Sequence, residues 1–283
     1  MDYMNLEYYD ALWQDSMPKD GMQHTKETWN KKAETWFDNP PELQKKKQDL
    51  VSEVAGFLFK KGALTQDSRV ADIGCGSGDY ALEFAKYAKE VVGTDISSRM
   101  IDYCKRSALD AGVSNVQFFE NDFISDPASE VFGDEKFDLV FTSLTPAMSG
   151  LKSVYDIHAL SKGWCFNNSF VYRKDLVKNK VLEDVFGKKP NNNWGNSSPY
   201  CLFNILWLMG LHPEMTYYTE TVNCTYDLNL NTAKYFSQMV IRDKEPDDGT
   251  VKKVFEYLAS IAQNGKISNE TESMFAWTLW KTE

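Results

Sequence analysis

The apolar run Val70-Ala-Asp-Ile73 gives way to glycine at 74, 76 and 78, and few folds accept that pattern. The run reads as a buried parallel strand. The residues after the glycines (Ala81, Leu82, Phe84, Ala85, Ala88) have helical spacing, and Val91 to Thr94 reads as a second strand ending on Asp95. Strand, glycine turn, helix, strand and acid make a nucleotide-type βαβ unit, whose acid is placed to bond both hydroxyls of a ribose.

The glycine spacing bears on the ligand. A dinucleotide turn runs G-x-G-x-x-G and lets a helix N-terminus face a pyrophosphate. Here the spacing is G-x-G-x-G, and Asp79 opens the helix. A carboxylate at that position stabilises the helix dipole but repels a phosphate. Asp72, two residues before the first glycine, adds negative charge. A phosphate-free cation carrying an ammonium, a sulfonium and a ribose fits better, a description that matches S-adenosylmethionine. The competing reading is another doubly wound domain whose glycines serve only tight helix–strand packing.

Asp72-Ile-Gly-Cys-Gly-Ser-Gly78 resembles the first motif of the class I S-adenosylmethionine-dependent methyltransferases of small-molecule type, and Val92-Gly-Thr-Asp95 resembles their second. The resemblance implies an α/β fold with a doubly wound, mostly parallel seven-stranded sheet, and S-adenosylmethionine as cofactor, with S-adenosylhomocysteine as product. It places Asp72, Gly74, Gly76, Gly78 and Asp95 at the cofactor, with Ile96 and Met100 against the adenine. After the third strand, Val116 to Glu120, Asp122 stands where relatives accept from the adenine amino group, with the backbone of Phe123 close by. Asp122 also suits a plain turn. Phe137 to Phe141 is the fourth strand, and the loop Thr142-Ser-Leu-Thr-Pro-Ala-Met148 should floor the transfer site, with Ser143 on its cofactor side and Thr145 toward the acceptor. It is not the (Asn/Asp)-Pro-Pro-(Tyr/Phe) loop of enzymes that methylate planar amino groups, which counts against such acceptors.

Three helices precede this core, and residues 1–62 read as a helical cap on a core spanning 63–283. Thr28 to Asp38 resembles the segment that covers the cofactor in many small-molecule methyltransferases, so Trp29, Trp36 and Phe37 are candidates for covering the site. The same aromatics would serve equally to fix the helix to the core. Lys45-Lys46-Lys47 reads as the solvated face of the third helix. Beyond a fifth strand, Trp164 to Tyr172, the pattern becomes less regular. Leu176 to Phe186 reads as a helix, Tyr200 to Met209 as a helix apolar nearly all round, and Glu214 to Tyr226 as a sixth strand. A helical insertion at about 228–265 separates it from a last strand, Met274 to Trp280. The insertion suits a lid or an interface, and a homodimer is open. Tyr200 joins Thr145 as an acceptor-side candidate.

Charge narrows the partners. The formal net charge is −10, against a broad footprint on DNA or RNA. The longest apolar run, Cys201 to Leu211, is 11 residues and falls short of the ~20 that span a bilayer. Five scattered cysteines in no C-x-x-C spacing fit a reducing cytoplasm and suggest neither a disulfide framework nor a metal site. The reading is a cytoplasmic methyltransferase for a small-molecule acceptor, with no fixed catalytic residue identified. A protein or RNA methyltransferase and a non-catalytic cofactor-binding partner subunit are the alternatives.

Overall fold

The computed structural model describes residues 5–16, 25–34, 40–126, 129–193, 197–241 and 245–282. Three helices come first: α1 (Leu6–Ser16), α2 (Lys26–Glu34) and α3 (Pro41–Lys60). The Thr25 hydroxyl accepts from the Thr28 amide at the start of α2. Pro41 occupies the first turn of α3, where its missing N–H costs nothing, and Gly62 ends the helix at φ +70.

The core then alternates strand and helix: β1 (Arg69–Ile73), α4 (Asp79–Phe84), β2 (Glu90–Asp95), α5 (Ser98–Asp110) and β3 (Val116–Glu120). It continues through α6 (Ser129–Phe132), β4 (Phe137–Ser143), α7 (Leu151–Leu160) and β5 (Ser161–Asp175). The Ser97 hydroxyl accepts from the Met100 amide and caps α5. Next come α8 (Leu176–Lys180), which runs into a π turn over Val181–Val185, then α9 (Ser197–Leu208) and β6 (Glu214–Asp227). The last elements are α10 (Leu230–Val240), α11 (Asp248–Ile261) and β7 (Lys266–Lys281). One seven-stranded sheet results, in the order β3-β2-β1-β4-β5-β7-β6, with β7 antiparallel to both its neighbours.

Helices cover both faces. Leu50, Val54 and Leu58 of α3, Phe84 of α4 and Cys104 of α5 pack with Phe141, Phe166 and Trp277 of the sheet. Trp13 of α1, Ile157 of α7 and Ile205 of α9 pack with Ile73, Val140 and Trp280 on the other face. Helix α9, whose apolar composition predicts burial all round, is buried on one side only: Leu202, Ile205 and Leu206 face inward, while Tyr200 and Trp207 are exposed.

The sheet extends beyond the usual core. β5 and β7 run past their expected ends and pair out to Asp175 and Thr271, and β6 pairs with β7 down to Lys266. Val177, Val181, Phe236, Val254, Leu258 and Ile267 form a separate cluster there, so the insertion packs on this sheet extension. Buried Asp175 holds the junction, accepting from the Lys178 amide (2.9 Å), Asn269 Nδ2 (3.1 Å) and Thr271 Oγ1 (3.1 Å).

Candidate cofactor and acceptor site

The carboxyl ends of β1, β2 and β4 enclose a cavity of about 210 Å³. Backbone geometry builds its floor. The Cys75 amide donates to the Thr94 carbonyl at 2.8 Å, tying the glycine turn to β2. Asp95 closes the turn from the other side: its Oδ2 accepts from the Gly76 amide and its Oδ1 from the Ser97 amide, both at 2.9 Å. A carboxylate has about four lone-pair sites, so two remain open toward the cavity. Gly74 (φ +71) lies so close to the β4 loop that a Cβ there would sit 2.1 Å from Thr145 Oγ1. Gly78 (φ +79) faces away from the cavity, and its Cβ would meet Cys104 Sγ at 2.9 Å. The helix–strand packing role therefore holds for Gly78.

Of the residues singled out by sequence, Trp29, Asp72, Gly74, Gly76, Asp95, Ile96, Met100, Asp122, Phe123, Ser143 and Thr145 line this cavity. Gly78 and Tyr200 do not. Tyr200 is exposed on α9, its ring 5.9 Å from that of Tyr9. Trp36 and Phe37 lie outside the described residues. Asp122 also serves its turn, its Oδ1 accepting from the Ile124 amide at 3.2 Å.

Several contributors carry no sequence signal. Lys47 is not merely on a solvated face: its Nζ lies 2.5 Å from Asp79 Oδ2 and 3.0 Å from Ser77 Oγ, at the cavity wall. Asn121 lines the cavity with a buried Oδ1 that has no hydrogen-bond partner among the described residues. Tyr80 sits between α4 and the sheet, 4.8 Å from the Phe141 ring. Burial raises its phenol pKa against the opposing effect of hydrogen bonds from Ser143 and Asn168, so it stays a neutral hydroxyl.

Asp72 is the electrostatic centre of the site. It is fully enclosed, and its Oδ2 has no partner among the described residues. Burial, then the neighbouring carboxylates of Asp95 and Asp79, push its pKa up to about 8 against a hydrogen bond from the Ala81 backbone. Burial raises Asp95 as well, opposed by its two amide bonds. A site with an unpaired buried carboxylate surrounded by like charges favours a cation.

Helix α2 lies at one end of the cavity. Asn30 Oδ1 accepts from Ser97 Oγ (2.7 Å) and the Arg99 amide (3.3 Å), joining α2 to the start of α5. A Lys26–Glu120 ion pair adds a second tie, to β3. Between them Trp29 reaches the cavity, with Lys32 Nζ 4.3 Å from its ring centre. A second chamber of about 360 Å³ adjoins at Ile96, Asn121 and Asp122. Among the described residues no helix is long and apolar enough to cross a membrane, and no His, Cys, Asp or Glu cluster could hold a metal. His158 lies on α7 and is not a cavity residue; burial and Lys136 lower its imidazole.

The strand order and the glycine–acid site define a Rossmann-like methyltransferase fold. Residues 70–156 match the family described as "Methyltransferase domain". This segment of the chain thus carries a methyltransferase domain. Among curated proteins it is 32% identical over 108 residues to the uncharacterized methyltransferase YcgJ of Bacillus subtilis, 38% of this chain and 41% of that protein. It is 31% identical over 109 residues to the 23S rRNA (uracil(1939)-C(5))-methyltransferase RlmD of Vibrio campbellii, 38% of this chain and 24% of that protein. The chain thus spans well under half the length of these relatives. The crystal structure of YcgJ superposes with a TM-score of 0.52 at 19% identity, covering 81% of this chain and 98% of that one, which is a likeness of fold.

Proposed function

We propose that the chain is an S-adenosylmethionine-dependent methyltransferase acting on a small-molecule acceptor. The observation that carries this reading is Asp72, a buried carboxylate with an unpartnered oxygen in the cavity wall. Bound there, the cofactor supplies a methyl group on a positively charged sulfur, open to in-line displacement by an acceptor lone pair. Asp72 is the partner for its ammonium, and Asp95 for its ribose hydroxyls. Asn121 Oδ1 and Asp122 are the acceptors for its adenine amino group, with Ile96, Met100 and Phe123 as the apolar walls around the ring. Trp29 shields this end from water, and Ser143 and Thr145 lie on the side left for the acceptor. Holding two reactants aligned in a dry pocket is worth about 7–11 kcal/mol in favourable cases. No general base is needed where the acceptor has a free lone pair or a readily lost proton.

A small acceptor is favoured over RNA by charge. The net charge is −10, and four of the five ionisable Asp and Lys side chains in the cavity wall are carboxylates. The RNA reading is supported by the RlmD relatives, through a match covering only a quarter of their length. Calorimetric titration of the purified chain with S-adenosylmethionine and S-adenosylhomocysteine, beside NAD, tests the cofactor. Binding of the first two and not of NAD is expected; NAD binding alone would overturn the reading. Transfer of labelled methyl to total RNA but to no metabolite extract would replace the small acceptor with RNA.

A further inference from the structure

Leu144 has φ +52, in the left-handed region that glycine and asparagine enter readily and a bulky residue does not. The surrounding structure holds it there. The Leu144 amide donates to the Asn168 carbonyl at 2.9 Å, and Asn168 Nδ2 donates to Ser143 Oγ at 3.0 Å. Thr145 is wedged over Gly74, and its own Oγ1 accepts from the Ala147 amide at 3.2 Å. A strained residue fixed from both sides in a cavity wall points to a role for its side chain.

That side chain is apolar, lines the cavity and is 42% exposed. Ile124, also in the wall, is 44% exposed. The β4 loop, Ser143 to Met148, brings no ionisable group to the cavity. The charges there come from β1, α3, α4, β2 and the segment after β3, as Asp72, Lys47, Asp79, Asp95 and Asp122. In the reading above the cofactor takes Asp72, Asp95 and Asp122, and Asp79 pairs with Lys47, so an ion of either sign would lose water against Leu144, Ile124 and a loop offering no counter-charge.

We infer that the methyl acceptor is a neutral, largely apolar molecule, and that Leu144 is the specificity-determining residue that packs against it. This rests on the methyltransferase reading above. The test uses the full chain saturated with S-adenosylhomocysteine and three probes on one ring system: 1-naphthol, 1-naphthoate and 1-naphthylmethylammonium. Naphthol should bind about tenfold or more tightly than either ion, the scale set by burying an apolar side chain. Leu144→Gly and Leu144→Asn both suit φ +52, so each should raise the thermal unfolding midpoint. Both should weaken naphthol about tenfold and leave S-adenosylhomocysteine within about twofold. Equal or tighter binding of an ion, no naphthol binding, unchanged naphthol affinity in both variants, or a lowered midpoint in both would overturn the inference. Failure of the wild-type chain to bind S-adenosylhomocysteine would instead overturn the reading beneath it.

Discussion

Replacing Asp72 with Asn tests the electrostatic centre of the site directly. The amide keeps the shape and removes the charge. In the folded chain the carboxyl titrates at about 8, against an ordinary value of 3.8. Between those values the folded state holds a proton that the unfolded state has lost, so stability falls as pH rises. From pH 5 to pH 8 each unit costs the wild-type fold about 1.4 kcal/mol, or about 4 kcal/mol in all. The amide of Asp72→Asn has no such proton to lose. The stability of the variant relative to the wild type should therefore rise by about 4 kcal/mol between pH 5 and pH 8, a relative gain of about 10 °C in the unfolding midpoint.

Cofactor binding should move the opposite way. An ammonium beside Asp72 favours the ionised carboxyl, so binding near pH 7 expels the proton. Wild-type affinity for S-adenosylhomocysteine should therefore rise with pH up to about 8, with a binding enthalpy that varies with the buffer's own ionisation heat. Asp72→Asn should bind more weakly by about 1.5–3 kcal/mol, the worth of one charged hydrogen bond, and lose that dependence. Calorimetry in two buffers and thermal melts at pH 5, 7 and 9 give both readouts. Parallel pH profiles for wild type and variant would refute the assignment of the buried proton to Asp72.

Asp95→Ala removes the ribose partner and orphans two amides, so S-adenosylhomocysteine should bind about 10–100-fold more weakly in calorimetry, and unchanged affinity would sink the ribose assignment. Asn30→Ala cuts the tie between α2 and α5, and should lower cofactor affinity several-fold while the unfolding free energy from urea titration falls by about 1 kcal/mol or less. Equal affinity there would show that α2 stays over the cofactor without it. Gly78→Ala drives a Cβ to 2.9 Å from Cys104 Sγ in a left-handed turn, and should cost about 2–3 kcal/mol in urea unfolding. Cys104→Ala added to it should recover part of that loss; a full-strength penalty in the double variant would place the strain in the backbone alone.

The sequence exposes the first four strands because each is an apolar run ending at a turn or an acid. It hides the distal half of β7, Lys266-Ile-Ser-Asn-Glu-Thr-Glu-Ser273, because only Ile267 is apolar. Its inward positions after that are Asn269, Thr271 and Ser273, all buried, and two of them spend their polarity on Asp175. A hydropathy pattern does not register a polar face satisfied by a partner almost a hundred residues away. Lys47 is hidden for a different reason. Three consecutive lysines look alike in sequence, and helix rotation turns only this one toward Asp79.

The division between what shows in the sequence and what does not follows the two halves of the reaction. A cofactor shared by a whole class is met by backbone features, such as glycines in left-handed turns and an acid at a strand end, and these leave fixed letters at fixed spacing. In the proposed reading the acceptor is met by side chains from separate elements, the β4 loop and Ile124 after β3, whose roles exist only once the chain is folded. Even within the glycine turn the letters divide: Gly76 gives its amide to Asp95 in the site, while Gly78 makes room for α5. Both meanings of the motif are therefore present, at different positions. Leu144 carries the same point further, since the property that marks it is a torsion angle, written in no residue type.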